Sequence, residues 1–142
     1  MLTDESFENC TSIEFRNGGT EFCNCSLLTT LPPFSGSLNG TFAGCSNLEI
    51  DLTNLNGITH IGAETFNTTK KTEGVVNLPN LDSRDLGYRA FKNTKISKVL
   101  NLGNCGRIQD GAFSGCTDLT EVDLSNNSMV IGPSVFENCS SL

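Results

Sequence analysis

The chain has 142 residues, the size of one ordinary domain, and carries 9 Lys plus Arg against 16 Asp plus Glu, a net charge of −7. That balance argues against nucleic-acid backbones and anionic lipid surfaces as partners, since both need concentrated positive charge, and no nucleic acid is expected among them. No apolar run approaches the roughly 20 residues of a membrane-spanning helix, so no membrane insertion is expected.

Read from the N-terminus, MLTDESFENC has neither a basic n-region nor an apolar h-region. No signal peptide is visible, and an export address would lie in another part of a longer chain. The same stretch holds Phe7 and Cys10, the first copy of a pattern F-x-x-C. It recurs at Phe22/Cys25, Phe42/Cys45, Phe113/Cys116 and Phe136/Cys139, with threonine in place of cysteine at Phe66/Thr69 and Phe91/Thr94. The intervals between anchors are 15, 20, 24, 25, 22 and 23 residues, so seven of nine Phe and five of seven Cys belong to one repeating unit.

Further columns accompany the anchor. An aliphatic residue stands five positions before it at Leu2, Ile61, Leu86, Ile108 and Ile131. Apolar and polar residues alternate after each anchor: Leu28 and Leu31; Leu48, Ile50 and Leu52; Val76 and Leu78. The alternation continues at Ile96, Val99 and Leu102, and at Leu119, Val122 and Leu124. It predicts one half-buried strand per unit, and the runs NLNG, NLPNLDSRD, NLGNCG and SNNS predict the loops between strand and next anchor.

The first interval is too short for a full turn and FSGSLNG breaks the pattern. Residues 1–40 therefore read as irregular N-terminal repeats or a partial cap, and 41–142 as the regular part of one solenoid domain. The chain stops on an apolar position just before a strand would begin, without a polar cap, so a longer parent chain is expected. Units of this length, each with a strand that cannot bury its own apolar side, predict a repeat solenoid of α/β or mainly β class with about six to seven turns.

The run IQDGAFSGCTDLTEVDL, with its pattern I-x-x-x-A-F-x-x-C-x-x-L-x-x-V-x-L, resembles the BspA-like (Treponema pallidum type) leucine-rich repeats. The resemblance implies a right-handed coil with one parallel sheet face, and a cell-surface, extracellular or virion-associated location. It also implies adhesion-type binding of a protein or glycan. The alternative is a structural or receptor-binding element among the subunits of a larger assembly, such as a phage tail or fibre.

The residues themselves offer little chemistry. Metal sites want converging close pairs, and only Cys23/Cys25 is close, with His60 the single histidine; no metal or cofactor is expected. His60 reads as a loop or surface residue, and no catalytic motif appears, so the chain is not read as an enzyme. Cys10/Cys25, Cys25/Cys45 and Cys116/Cys139 fall on neighbouring turns. Their side chains would point the same way, however, which opposes disulfide geometry. Cys10, Cys25, Cys45, Thr69, Thr94, Cys116 and Cys139 read as an internal ladder of small, mildly polar groups meeting backbone carbonyls of adjacent turns. Phe7, Phe22, Phe42, Phe66, Phe91, Phe113 and Phe136 read as a stacked aromatic ridge.

Asp82 and Asp85, flanking Arg84, read as a solvated loop with local ion pairing. Six N-x-S/T sequons begin at Asn9, Asn24, Asn39, Asn67, Asn126 and Asn138, three of them inside F-x-N-C copies. Specificity in such a fold belongs on the outward side of the strands. Alternation assigns Thr30, Glu49, Asp51, Asn77, Lys98, Asn101, Glu121 and Asp123 to that side.

Overall fold

A computed structural model describes residues 1–52, 55–82, 85–125 and 128–142. After a 3-10 turn at Asp4–Phe7 the described chain forms nine short strands. They are β1 (Ile13–Phe15), β2 (Phe34–Leu38), β3 (Ile58–Ile61), β4 (Glu73–Asn77), β5 (Asp85–Leu86), β6 (Lys95–Asn101), β7 (Arg107–Ile108), β8 (Glu121–Val122) and β9 (Val130–Ile131). Every pairing is parallel, as a coil that advances in one direction requires, and the sheets run β1-β2-β3, β4-β6-β8 and β5-β7-β9.

The strands fall into two columns. Sheet β4-β6-β8 holds the segments that follow each anchor. The Asp51–Glu73 bridge and the bond from Glu49 N–H to Thr29 O extend that column toward the N-terminus. We call it the front face. The other two sheets hold the segments that precede each anchor, and Gly87 N–H to Ile61 O joins one to the other. Strands of two to five residues carry too little alternation for this second column to stand out in the sequence.

A third side is built without strands. From Phe42 onward the residues two before and two after the anchor take left-handed backbone, as at Glu64 and Thr68 around Phe66 and at Arg89 and Asn93 around Phe91; at Phe7 and Phe22 only the later one does. Their N–H groups and that of the phenylalanine all donate to the next coil: Arg89 to Asp110 O, Phe91 to Ala112 O and Asn93 to Ser114 O. Asn9, Asn24 and Asn138 hold the same place, with φ of 67°, 60° and 60°. Asparagine tolerates that conformation, which gives these three sequons a structural reason. The Asn126 sequon lies outside the described residues.

Thr68 is the misfit in this column, a β-branched residue at φ 61°. Left-handed backbone costs a residue with a Cβ about 1–2 kcal/mol, and asparagine recovers part of that. Thr68→Asn is therefore expected to stabilise the fold by about 0.5–1 kcal/mol, read as a raised denaturant midpoint; an unchanged or lowered midpoint would contradict the strain argument.

Inside the coil the seven rings follow one another in sequence, at centroid distances of 5.6, 5.7, 5.7, 5.0, 5.4 and 5.8 Å from Phe7 to Phe136, all stacked except the tilted Phe22–Phe42 pair. Phe42, Phe66, Phe91 and Phe113 are wholly buried. The coil makes about five turns rather than six to seven. Phe7 and Phe22 stack as neighbours, but the 15 residues between them supply only β1 of the rear column and no front strand.

All seven cysteines are free thiols. The thiols of Cys45, Cys116 and Cys139 donate to the carbonyls of Phe22, Phe91 and Phe113, one coil back, at 2.8, 3.1 and 3.2 Å. Thr69 and Thr94 instead donate to Phe66 O and Phe91 O of their own coil, because the shorter C–O bond keeps the hydroxyl nearer its own turn. Cys10 lies at the exposed end and donates to Ser12 O.

Burial pushes the Cys45 thiol up to about 11 and that of Cys116 to about 12. Thiol labelling of the native protein at neutral pH is expected to modify exposed Cys10 within the dead time and Cys116 only on unfolding. Prompt labelling of Cys116 would contradict its placement. The raised folded-state values also fix a sign. This part of the stability is present below the ordinary thiol range and is lost as pH rises through it toward 12.

Candidate functional site

The front face is a flat array of outward side chains on a backbone locked by parallel pairing. Strand register sets Lys98 of β6 directly against Glu121 of β8, and the ammonium lies 2.6 Å from the carboxylate. Lys71 reaches Glu49 at 3.7 Å and Lys95 reaches Asp118 at 3.5 Å. Each pair joins residues 22 or 23 positions apart, one coil's worth of chain. Half-exposed pairs of this kind contribute little stability, up to about 1 kcal/mol each. Their effect is to hold long side chains in fixed places and to neutralise part of the acidic strip.

Lys71, Glu73, Lys95 and Asp118 escaped the sequence reading because they stand at the first residue of a strand or in the turn before it, where alternation is silent. Opposite charges spaced by one repeat length were the signal that could have found them.

The structure places six of the eight expected residues in two exposed or half-exposed groups and the other two between them. Thr30, Glu49 and Asp51 stand together on the N-terminal coils, all exposed. Lys98, Glu121 and Asp123 stand together toward the C-terminal end. The Asp123 carboxylate accepts the Ser125 N–H at 3.0 Å, and hydrogen bonding from the Ser125 side chain first and its N–H second holds the carboxyl below its usual range. Asn77 and Asn101 face each other across β4 and β6 but are half-buried. The Asn101 amide oxygen accepts the Gly103 N–H at 2.9 Å, so it serves the turn as well as the surface. Bulges after Gly74 and after Val76 shift the register and end simple alternation there.

At the N-terminal edge of this face Asp4 acts as a cap. Its carboxylate accepts the N–H groups of Thr29 and Thr30 at 2.8 and 3.1 Å, together with the Thr29 hydroxyl. An edge strand with open N–H groups invites pairing with another chain, and Asp4 occupies two of them. The same bonds, that of the Thr29 hydroxyl first, hold the Asp4 carboxyl below the usual range.

His60 lies half-buried in β3 on the rear column, opposite Ser37. Gln109 Nε2 donates to Asp85 Oδ2 at 2.6 Å, while Arg84 lies outside the described residues. Among the described residues no group of three His, Cys, Asp or Glu side chains is placed to hold a metal ion. No helix among them is long and apolar enough to cross a membrane.

A family model described as "BspA type Leucine rich repeat region" matches residues 37–142 in six copies. Among solved structures the chain is similar to a T. pallidum leucine-rich repeat protein, at 20% identity and a TM-score of 0.56. The match covers 92% of this chain and 71% of that one, a likeness of fold. No curated protein matches.

Proposed function

The chain belongs to the BspA-type leucine-rich repeat family, and from that premise we propose that it is a non-enzymatic adhesion-type module binding a protein or glycan through its front face. Leucine-rich repeats form scaffolds that typically bind proteins rather than catalyse reactions. The observation that carries the reading is the front face itself. Polar side chains from successive coils stand in register there, on parallel strands whose spacing the buried ring stack fixes. A surface fixed before contact loses little conformational entropy on binding, so weak contacts along it add up to affinity. A partner at a cell surface or in the extracellular space, or one met by a virion, suits such a module.

The test is a binding screen against extracellular proteins and a glycan array. It is followed by the fourfold variant Glu49→Lys, Asp51→Lys, Glu121→Lys and Asp123→Lys. All four side chains are exposed, so the fold is expected to survive, as circular dichroism would confirm. Loss of binding to the screened partner supports the front face, and unchanged binding overturns it.

A further inference from the structure

The partner's chemistry can be taken one step further, on the front-face reading just given. Three hollows at the N-terminal end of that face run into one another. One of about 610 Å³ lies between the Asp4–Phe7 turn and Thr30–Pro32. A second, about 240 Å³, lies over Leu31–Phe34 beside Ile50 and Leu55. A third, about 440 Å³, lies around Glu49–Asp51 and Glu73. They share Leu31 and Pro32 at one junction and Glu49–Asp51 at the other, which makes a single groove across the first coils.

Its floor is apolar: Leu31, Pro32, Pro33, Phe34 and Ile50. Phe15 and Phe34 are the two phenylalanines outside the repeat column. Phe34 leans on Phe15 and Phe42 at ring distances of 6.2 and 5.4 Å, which fixes the floor from below. Its rims are acidic. Asp4, Glu5 and Glu8 line the first hollow, Glu49 and Asp51 the second and third, and Glu73 the third. Among the described lining residues Lys71 is the one cation, already drawn to Glu49.

An apolar floor between acidic rims asks for an apolar side chain carried between positive charges. We infer that this groove binds an extended basic peptide segment in which lysine or arginine residues alternate with apolar ones. Alternation turns every second side chain of an extended segment to the floor, and the long, flexible lysine or arginine side chains between them bend back to the carboxylates at the rims. Neutral or anionic glycans leave the carboxylates without a complement, and nucleic acid is repelled by them.

The probe is the fluorescein-labelled peptide Lys-Leu-Lys-Val-Lys-Leu-Lys, compared with analogues in which Glu replaces Lys or Ser replaces Leu and Val. Anisotropy gives the affinity and amide chemical shifts of the labelled protein give the place. The expected result is binding by the first peptide alone, shifts at Leu31, Phe34, Ile50 and Asp51, and weakening with salt. Affinity is expected to fall about tenfold in the variant Glu49→Gln, Asp51→Asn, Glu73→Gln. Equal binding of the acidic analogue, or no binding at all, overturns the inference. Shifts confined to Lys98–Asp123 overturn the groove but leave the front-face reading standing; shifts away from the face overturn both.

Discussion

Phe91→Ala is expected to cost about 3–5 kcal/mol, the range for truncating a fully buried aromatic ring. The ring lies 5.0 Å from Phe66 and 5.4 Å from Phe113, with no exposed surface, so its loss opens a cavity touching three coils. The consequence is larger than one contact suggests. In a solenoid each coil is held only by its neighbours, and stability is close to a sum of nearest-neighbour terms. A cavity in the middle weakens two interfaces at once and separates the flanking coils. Phe136 ends the stack, is only half-buried and touches a single ring, so Phe136→Ala is expected to cost about 1–2 kcal/mol. Denaturant unfolding of the two variants checks the contrast, and equal costs would show that the rings do not act as a nearest-neighbour column.

That column was legible because each coil must present the same volume at the same rung. Phenylalanine and a small partner three residues later therefore return at every turn, and no local pattern competes with them. The front strands were legible for a related reason, since their inward residues, such as Ile96 and Val99, are wholly buried while Lys95 and Leu100 are exposed. The rear column was not, because β5, β7 and β9 are two residues long and their pairing comes from stacking. Nor was the division of labour inside the Cys/Thr column, where a thiol bonds the previous coil and a hydroxyl its own. The candidate site was half legible: alternation found Glu49, Lys98 and Glu121, but not Lys71, one coil from Glu49, nor the Lys95–Asp118 pair. Phe34 lay in a stretch that broke the pattern, and the break has a structural cause of its own.

That cause is Gly36, and Gly36→Ala is expected to cost about 3 kcal/mol or more, from backbone strain added to overpacking. Gly36 pairs with Phe15 on one side and Ile58 on the other, and the register of β2 against β3 shifts immediately after it. Its φ is 103°, and a Cβ there would stand 2.0 Å from Phe15 O and 2.9 Å from Phe15 C. Those atoms belong to the backbone of β1, which cannot rotate away. The Gly36 N–H is also fixed, bonded to Gly57 O at 2.8 Å. Gly74 separates the two contributions. It has nearly the same φ, 96°, and sits at a comparable bulge, yet a Cβ there meets nothing within 4 Å. Gly74→Ala therefore carries the conformational strain without the clash and is expected to cost about 1 kcal/mol. The difference between the two variants, about 2 kcal/mol, measures how closely β1 and β2 approach. Because Phe34 stands two residues before Gly36 on the same strand, the displacement in Gly36→Ala should also tilt the groove floor. It is expected to weaken the basic peptide while Gly74→Ala leaves that affinity unchanged. Equal stability losses in the two variants would mean that β2 yields to the added methyl, and that the floor is not held by this contact.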